Sequence, residues 1–237
     1  MAPRTVAIIQ ARMTSTRLPG KVLKEICGKP MLARQIERVA RARLVDLVAV
    51  ATSEDSSDDP IAALCAESGI PSFRGSLADV LGRFQGASER LGLADHIVRL
   101  TGDCPLTDPA IVDACVAVHI ANSADYTANG VERSYPDGLD VEVMTAFALA
   151  RAAREAKDSF QREHVTPYIY HNPEIFSLDA LRYPRDLSGL RWTVDTPADF
   201  AFVERIFTEL LPRDPIFGWR DVLALVEAHP EIAAINS

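Results

Sequence analysis

The sequence predicts an α/β fold, Rossmann-like, with a mainly parallel and twisted sheet. The first observation is that short apolar runs alternate with amphipathic helical patterns over the 237 residues, as in βαβ units. The second is that polar motifs follow directly where several of these runs end, at positions 11–24, 101–105 and 195–199. The third is an ordinary composition, 48% hydrophobic and 24% charged, with enough chain to bury one core.

The first half of the chain supplies the regular part of this pattern. Runs of β-branched and apolar residues indicate strands, and apolar residues at helical spacing indicate the helices between them. Thr107 or Asp108 is the expected cap of the fourth helix. The predicted elements are strand Thr5–Gln10, helix Pro30–Ala42, strand Asp46–Thr52, helix Pro60–Ser68, strand Pro71–Phe73, helix Ser76–Leu91, strand His96–Leu100 and helix Pro109–Ile120.

The pattern changes between Tyr126 and Asp179, where turn signals precede a half-exposed strand in "LDVEVM" and two helices near Thr145–Lys157 and Phe160–His171. We interpret residues from about 126 to 180 as a small inserted α+β lobe for acceptor binding and dimerisation, within one domain spanning 1–237. After it comes a predicted strand, Leu190–Val194. A helix follows that begins at a capping box of Thr196 and Asp199 and runs to about Leu210, and one further helix begins at Gly218.

The loop after the first strand is the main functional signal. The first 24 residues hold five basic groups and no Asp or Glu, although the chain carries a net charge of −8. In open α/β sheets ligands bind beyond the carboxyl ends of the strands, and guanidinium forks suit phosphate oxygens. The loop therefore predicts a polyphosphate site, the alternative being a solvated basic loop. Its basic groups are Arg4, Arg12, Arg17, Lys21 and Lys24.

Several function classes are disfavoured. Neither the P-loop pattern nor GxGxxG follows the first strand. The negative net charge argues against nonspecific nucleic-acid binding. No apolar run approaches membrane-span length, and no secretory signal precedes the first strand, so we expect no membrane partner and a cytoplasmic location. His119 and His171 are expected on helix surfaces, and Trp192 and Trp219 in the core.

Six motifs together resemble one known family. They are "IIQARMTSTRLPGKVL", "RGSLADVLGRF", "RLTGDCPLTDP", "YPDGLDVEV", "REHVTPYIY" and "RWTVDTPADF", and they extend from Val6 to about Phe207. The chain resembles the cytidylyltransferases that activate acidic and spore-coat sugars, such as CMP-Kdo and CMP-acylneuraminate synthetases, and most resembles the spore-coat polysaccharide biosynthesis branch. The resemblance implies a nucleotide-diphospho-sugar transferase fold, CTP as substrate, Mg²⁺ and usually a homodimer.

Two aspartates are the expected metal ligands. Asp103 and Asp195 each follow a predicted strand, and Mg²⁺ needs one or two carboxylates beside phosphate oxygens and water. The matching acids of the resembled family hold the metal. A turn role for Asp103 and a helix-capping role for Asp195 are the structural alternatives.

The remaining site residues come from the strand-end loops and the inserted segment. On this interpretation the catalytic residues are Arg12, Lys21, Asp103 and Asp195. CTP is expected to contact Gln10, Ala11, Arg12, Arg17, Lys21, Thr52, Arg74, Ser76, Asp79 and Gly102. A small acidic sugar acceptor is expected to contact Tyr135, Asp137, Asp140, Glu142, Arg162 and His164.

The sequence thus predicts a Mg²⁺-dependent enzyme that transfers CMP from CTP to a sugar acid. Two other functions stay open. One is nucleotidyl transfer to a sugar 1-phosphate, although the loop reads "QARMTSTR" where those enzymes usually have "GGxGxR". The other is a non-catalytic nucleotide-binding protein of the same fold, because fold alone does not establish activity.

Overall fold

A seven-stranded mixed sheet organises the molecule. The structure is a computed structural model that describes residues 4–92 and 94–236. The strand order is β5-β4-β1-β6-β8-β7-β9. Its strands are β1 Thr5–Gln10, β4 Leu47–Ser53, β5 Ser72–Gly75, β6 His96–Thr101, β7 Tyr126–Ala128, β8 Glu142–Thr145 and β9 Leu178–Ala180; a separate hairpin pairs β2 Glu25–Ile26 with β3 Lys29–Pro30.

The helices cover both faces of the sheet. The mainly parallel α/β class predicted from the sequence is confirmed, since β1 runs parallel to both β4 and β6, and β4 runs parallel to β5. The helices are α1 Met31–Val39, α2 Asp59–Glu67, α3 Val80–Leu91, α4 Pro109–Ala121, α5 Ala146–Glu155, α6 Ser159–His164, α7 Pro167–Tyr170, α8 Pro197–Leu210, α9 Trp219–Ala228 and α10 Pro230–Ala233.

Alternation along β1 divides the core into two parts. Ala7 and Ile9 pack into one cluster with apolar residues of α1, α4, α8 and α9. Val6 and Ile8 point the other way, into a cluster that includes residues of α3 and α5. All four side chains are fully buried, because successive residues of a strand face opposite sides of the sheet. Both faces of the central strands are therefore covered by helices.

The segment 126–180 extends the main sheet. Strand β8 pairs antiparallel with β6, β7 pairs antiparallel with β8, and β9 pairs parallel with β7. Helices α5 to α7 lie between β8 and β9 in the chain. The segment thus supplies one edge of the sheet, and its part in dimerisation stays a prediction.

The prediction of a strand at Leu190–Val194 is wrong. This segment is extended, but it makes a single parallel bridge, from Arg191 to Asp137, and joins no sheet. Its backbone instead bonds to two loops: Trp192 N–H donates to the Asp137 carbonyl at 2.6 Å, and Val194 N–H donates to the Asp103 carbonyl at 2.8 Å. The apolar run is buried, as predicted, but a turn and a loop satisfy its backbone.

Two other details depart from the sequence-based expectation. The tail beyond Gly218 is not one helix, since α9 ends at Ala228 and Pro230 begins the separate short helix α10. The hairpin β2–β3 was not predicted; Cys27 and Gly28 both have positive φ at its turn. Within residues 4–92 and 94–236, no helix has both the length and the apolar character needed to cross a membrane.

Candidate active site

A cleft lies beyond the carboxyl ends of β1 and β6, where the parallel sheet was expected to hold its ligand. Its volume is about 270 Å³, slightly below the usual range of small-molecule pockets. The lining combines the basic loop after β1, the end of β6, the start of α3 and the end of α6. The lining residues are Gln10, Ala11, Arg12, Ser15, Thr16, Arg17, Lys21, Val22, Val80, Arg83, Arg99, Thr101, Gly102, Asp103, Glu163, His164 and Asp195.

Lys21 lies between the two predicted metal-binding carboxylates. Its ammonium donates to the Val194 carbonyl at 2.5 Å and to Asp195 Oδ1 at 3.0 Å, and it lies 3.5 Å from Asp103 Oδ2. Gly20, at φ 69°, precedes the 3₁₀ turn that begins at Lys21 and allows the chain to turn into the cleft. The structure therefore brings the basic loop and both aspartates into one cluster of opposite charges.

Asp195 is the most heavily paired of these carboxylates. Besides Lys21 it forms an ion pair with Arg17 Nη2 at 3.0 Å and accepts a hydrogen bond from Arg191 Nη2 at 2.8 Å. Burial favours the neutral acid, but the hydrogen bond and charge of Lys21, followed by Arg191 and Arg17, outweigh it and lower the pKa of Asp195. The group is thus held as a carboxylate, the form that can bind a cation.

Arg191 and Asp199 fix the position of Asp195 through hydrogen bonds to its side chain and its backbone. Arg191 Nε donates to Asp199 Oδ1 at 3.1 Å, and Asp199 Oδ2 accepts from the backbone N–H of Asp195 at 3.0 Å. Asp199 also forms the capping box of α8 with Thr196, as the sequence predicted. Asn236 near the chain end donates to Asp199 Oδ1 at 3.1 Å. The residues that cap the N-terminus of α8 therefore also orient Asp195 in the cleft.

The donor set fits a divalent cation held jointly by protein and nucleotide. Two carboxylates converge on one cation, the Lys21 ammonium, so their placement suits a positive charge. Over the described ranges 4–92 and 94–236, no group of three or more His, Cys, Asp and Glu side chains could hold a metal by itself. Mg²⁺ accepts this arrangement, because phosphate oxygens and water can supply its other ligands.

The predicted CTP contacts separate into two groups. Lining the cleft are Gln10, Ala11, Arg12, Arg17, Lys21 and Gly102, whereas Thr52, Arg74, Ser76 and Asp79 lie outside the lining. Thr52 is fully buried in β4. Arg74 donates to the Ser53 carbonyl at 2.8 Å and pairs with Asp59 at 2.6 Å. Asp79 caps α3 by accepting from the Gly82 N–H, and its own N–H donates to Ser76 Oγ. For these four residues a direct role stays a prediction.

The predicted acceptor contacts are more dispersed. Among them His164 lines the cleft, while Tyr135, Asp137, Asp140, Glu142 and Arg162 do not. The Tyr135 ring packs at a tilt against Tyr183 and edge-to-face against Trp219. Asp137 and Asp140 both pair with Arg133. Glu142 pairs with Arg99 on the neighbouring strand, and Arg162 forms a two-pronged pair with Asp79. These ion pairs position loops around the cleft.

Sequence reasoning missed two charged residues of the site. Arg99 lines the cleft, and Arg191 holds Asp195. Arg99 carried a usable signal, because an arginine inside the apolar strand "HIVRLT" must find a partner once that strand is buried. Arg191 carried none, since its partners depend on how an irregular segment packs.

Known proteins are similar to this chain in sequence and in fold. A family model described as cytidylyltransferase matches residues 6–214. The chain is 33% identical over 233 residues to the spore coat polysaccharide biosynthesis protein SpsF of Bacillus subtilis, and this alignment covers 95% of each protein. It is 40% identical over 118 residues to a 3-deoxy-manno-octulosonate cytidylyltransferase of Geobacter sulfurreducens, and this alignment covers 50% of this chain and 46% of that enzyme.

A solved structure extends the match over almost the whole molecule. The cytidylyltransferase from Leptospira borgpetersenii has a TM-score of 0.92 at 31% identity, and the alignment covers 98% of this chain and 97% of that one. The nucleotidyltransferase fold and the resemblance inferred from the six motifs are thereby confirmed. With the family model spanning most of the chain, this protein belongs to the cytidylyltransferase family of nucleotidyltransferase enzymes.

Proposed function

We propose that the protein transfers CMP from CTP to a small sugar acid of the nonulosonic or Kdo type and releases pyrophosphate. The reaction would use Mg²⁺ and would supply a precursor of surface polysaccharide or another glycan. The observation that carries the proposal is the contact of one ammonium, that of Lys21, with both Asp103 and Asp195 in a cleft rimmed by arginines. Such a cleft suits a triphosphate chelated to a metal.

The basic loop would bind the two phosphates that leave. Arg12 and Arg17 line the rim of the cleft, and Lys21 lies at its buried end. Guanidinium forks match phosphate oxygens, and the ammonium adds a compact charge. As the bond between the α- and β-phosphates breaks, these groups would stabilise the negative charge that accumulates on pyrophosphate.

Asp103 and Asp195 are the residues that would hold the metal. When bound there, Mg²⁺ supplies charge neutralisation at the α-phosphate and a lower pKa for the attacking hydroxyl. The protein's own contribution would be placement: Asp103 and Asp195 would orient the metal-bound nucleotide, and the remaining cleft residues would align the sugar hydroxyl for attack in line with the leaving oxygen. We expect the reaction to take place in the cytoplasm, where CTP is available, and a homodimer is the expected assembly.

The direct test follows pyrophosphate release. The full chain is incubated with CTP, Mg²⁺ and a panel of sugar acids that includes Kdo and N-acetylneuraminate, with UTP and GTP as alternative nucleotides. The D103N and D195N variants should lose turnover but keep their fold. As a control, E67Q makes the same carboxylate-to-amide change at an exposed position of α2 and should behave as wild type.

The possible results separate the candidate reactions. Release with CTP and a sugar acid supports the proposal. Release only with a sugar 1-phosphate would support the alternative transfer. If the protein neither binds CTP nor releases pyrophosphate with any acceptor, the proposed function is refuted.

A further inference from the structure

Arg99 is a charged residue inside the core of the sheet. It lies on β6 between Val98 and Leu100, which are buried, and only 12% of its own side chain is exposed. Its side chain contributes to the lining of the cleft. Placing a guanidinium here is unfavourable unless the charge is paired, so the surroundings of Arg99 should show what it is for.

Glu142 on β8 provides the compensating charge. It is the antiparallel partner of Arg99 in the sheet register, and its Oε2 accepts from Arg99 Nη1. Its other oxygen, Oε1, accepts from Tyr126 Oη at 2.5 Å and from Thr166 Oγ1 at 2.6 Å. Both carboxylate oxygens are thus engaged within the protein. Glu142 orients Arg99 and has no oxygen left unengaged for a ligand.

Arg99 retains donor capacity after this pairing. Its Nε is buried and has no hydrogen-bond partner in the described part of the chain. Arg83 at the start of α3 repeats the pattern: it is 3% exposed, lines the same cleft, and its buried Nε also lacks a partner there. Unsatisfied buried donors are unfavourable. Two arginines with unused donors beside one cleft leave positive charge there that an anion could complete.

The backbone next to Thr166 is strained. Val165 has φ 72° and ψ −60°, and the Thr166 N–H donates to the His164 carbonyl at 2.9 Å, which defines a γ-turn. Positive φ is rare for a β-branched residue and persists where the surrounding structure enforces it. This turn directs Glu163 and His164 to the cleft lining and the Thr166 hydroxyl to Glu142.

We infer that Arg99 binds the acidic group of the acceptor, a carboxylate, with Glu142 as its positioning residue and the Val165 turn as support. The inference rests on the proposed function and assigns its acceptor site. A planar guanidinium held by one edge can offer its remaining donors to a carboxylate. The cations proposed for the triphosphate, Arg17 and Lys21, belong to a different element, the loop after β1, so the inference assigns the two anionic substrates to different basic groups of one cleft.

The test compares an acid with its uncharged ester. With a non-hydrolysable CTP analogue and Mg²⁺ present, Kdo and N-acetylneuraminate are each titrated by calorimetry beside their methyl esters. Wild type should bind at least one acid about 10- to 100-fold more tightly than its ester, the range expected of a charged hydrogen bond. R99Q should abolish that preference and leave the affinity for the CTP analogue unchanged. R90Q, a loss of the same charge at an exposed position of α3, should retain the preference.

Two further variants guard against a purely structural effect. R99K keeps the positive charge beside Glu142 but loses the fork, and it should lose most of the preference while remaining folded. E142Q should raise the KM for the acid with little change in kcat, as expected when a binding group is misdirected.

Three results would overturn the inference. They are no preference for either acid in wild type, an unchanged preference in R99K or R99Q, and a loss of CTP affinity as the main effect of these variants. The CTP titration of wild type distinguishes failure of this inference, in which CTP still binds, from failure of the proposed function.

Discussion

Replacing His119 with glutamine is expected to reduce the loss of folding stability that the protein undergoes as the pH falls from 6.5 to 4. His119 lies on α4 and is fully buried. Its Nδ1 is 3.1 Å from Thr127 Oγ1, and its Nε2 is 3.1 Å from His96 Nδ1. Burial, and then the charge of His96, lowers the pKa of His119 from 6.5 to about 4, although Asp125 and Asp179 oppose the shift.

The magnitude follows from linkage between protonation and folding. The unfolded chain takes up a proton on this residue near pH 6.5, whereas the folded chain resists it until about pH 4. The stabilisation is therefore fully present above pH 6.5 and is lost as the pH falls to about 4. A shift of this size corresponds to about 3 kcal/mol. The pKa of His96 is also lowered, by burial, and its titration adds to the loss in the same direction.

The assay is urea denaturation of wild type and H119Q at several pH values from 7.5 to 4. The change in unfolding free energy with pH should be shallower in H119Q, whatever its absolute stability. H171Q, at an exposed histidine, should follow wild type. Equal pH slopes for wild type and H119Q would refute the assignment of the acid-sensitive step to the His119–His96 pair.

Three further changes test the supporting structure. Gly138→Ala should destabilise the fold by about 2–4 kcal/mol in denaturant titrations, because its φ is 106° and a Cβ there would lie 2.4 Å from a backbone nitrogen; Gly189→Ala, where no atom lies within 4 Å of the added Cβ, should change little. Asn236→Ala should cost about 1 kcal/mol of unfolding free energy by removing two hydrogen bonds, and an unchanged melting temperature would count against it. Arg162→Ala should cost about 1 kcal/mol by breaking its pair with Asp79; lost acceptor binding at unchanged stability would instead favour a direct role.

Local signals were sufficient for much of the fold. Thr5–Gln10 was predicted to the residue because an apolar run between polar segments has few other solutions. The capping box of Thr196 and Asp199 marked the start of α8 for the same kind of reason, since side chain and backbone satisfy each other within four residues. The alternative caps of α4 were resolved in favour of Asp108, which accepts from two backbone N–H groups.

Long-range contacts explain what the sequence did not reveal. The extended segment at 190–194 looked like a strand because it is apolar, but its partners are a turn and a loop far away in the chain. His119 was expected on a helix surface, and this was wrong, because β7 and His96 cover it. Within the site, the basic residues of the first loop and the two strand-end aspartates were enough to predict that Lys21 lies near Asp103 and Asp195. The role of Arg191 instead depends on packing that no local pattern encodes.

The ammonium between the two aspartates has a consequence for the order of events. A bare divalent ion would have to expel Lys21 from three acceptors while Arg17 still competes for one carboxylate. A nucleotide that carries its own ion offers phosphate oxygens as new acceptors for these cations in the same step. We therefore expect the cleft to discriminate against free ions and to bind the metal and the triphosphate together, as one complex.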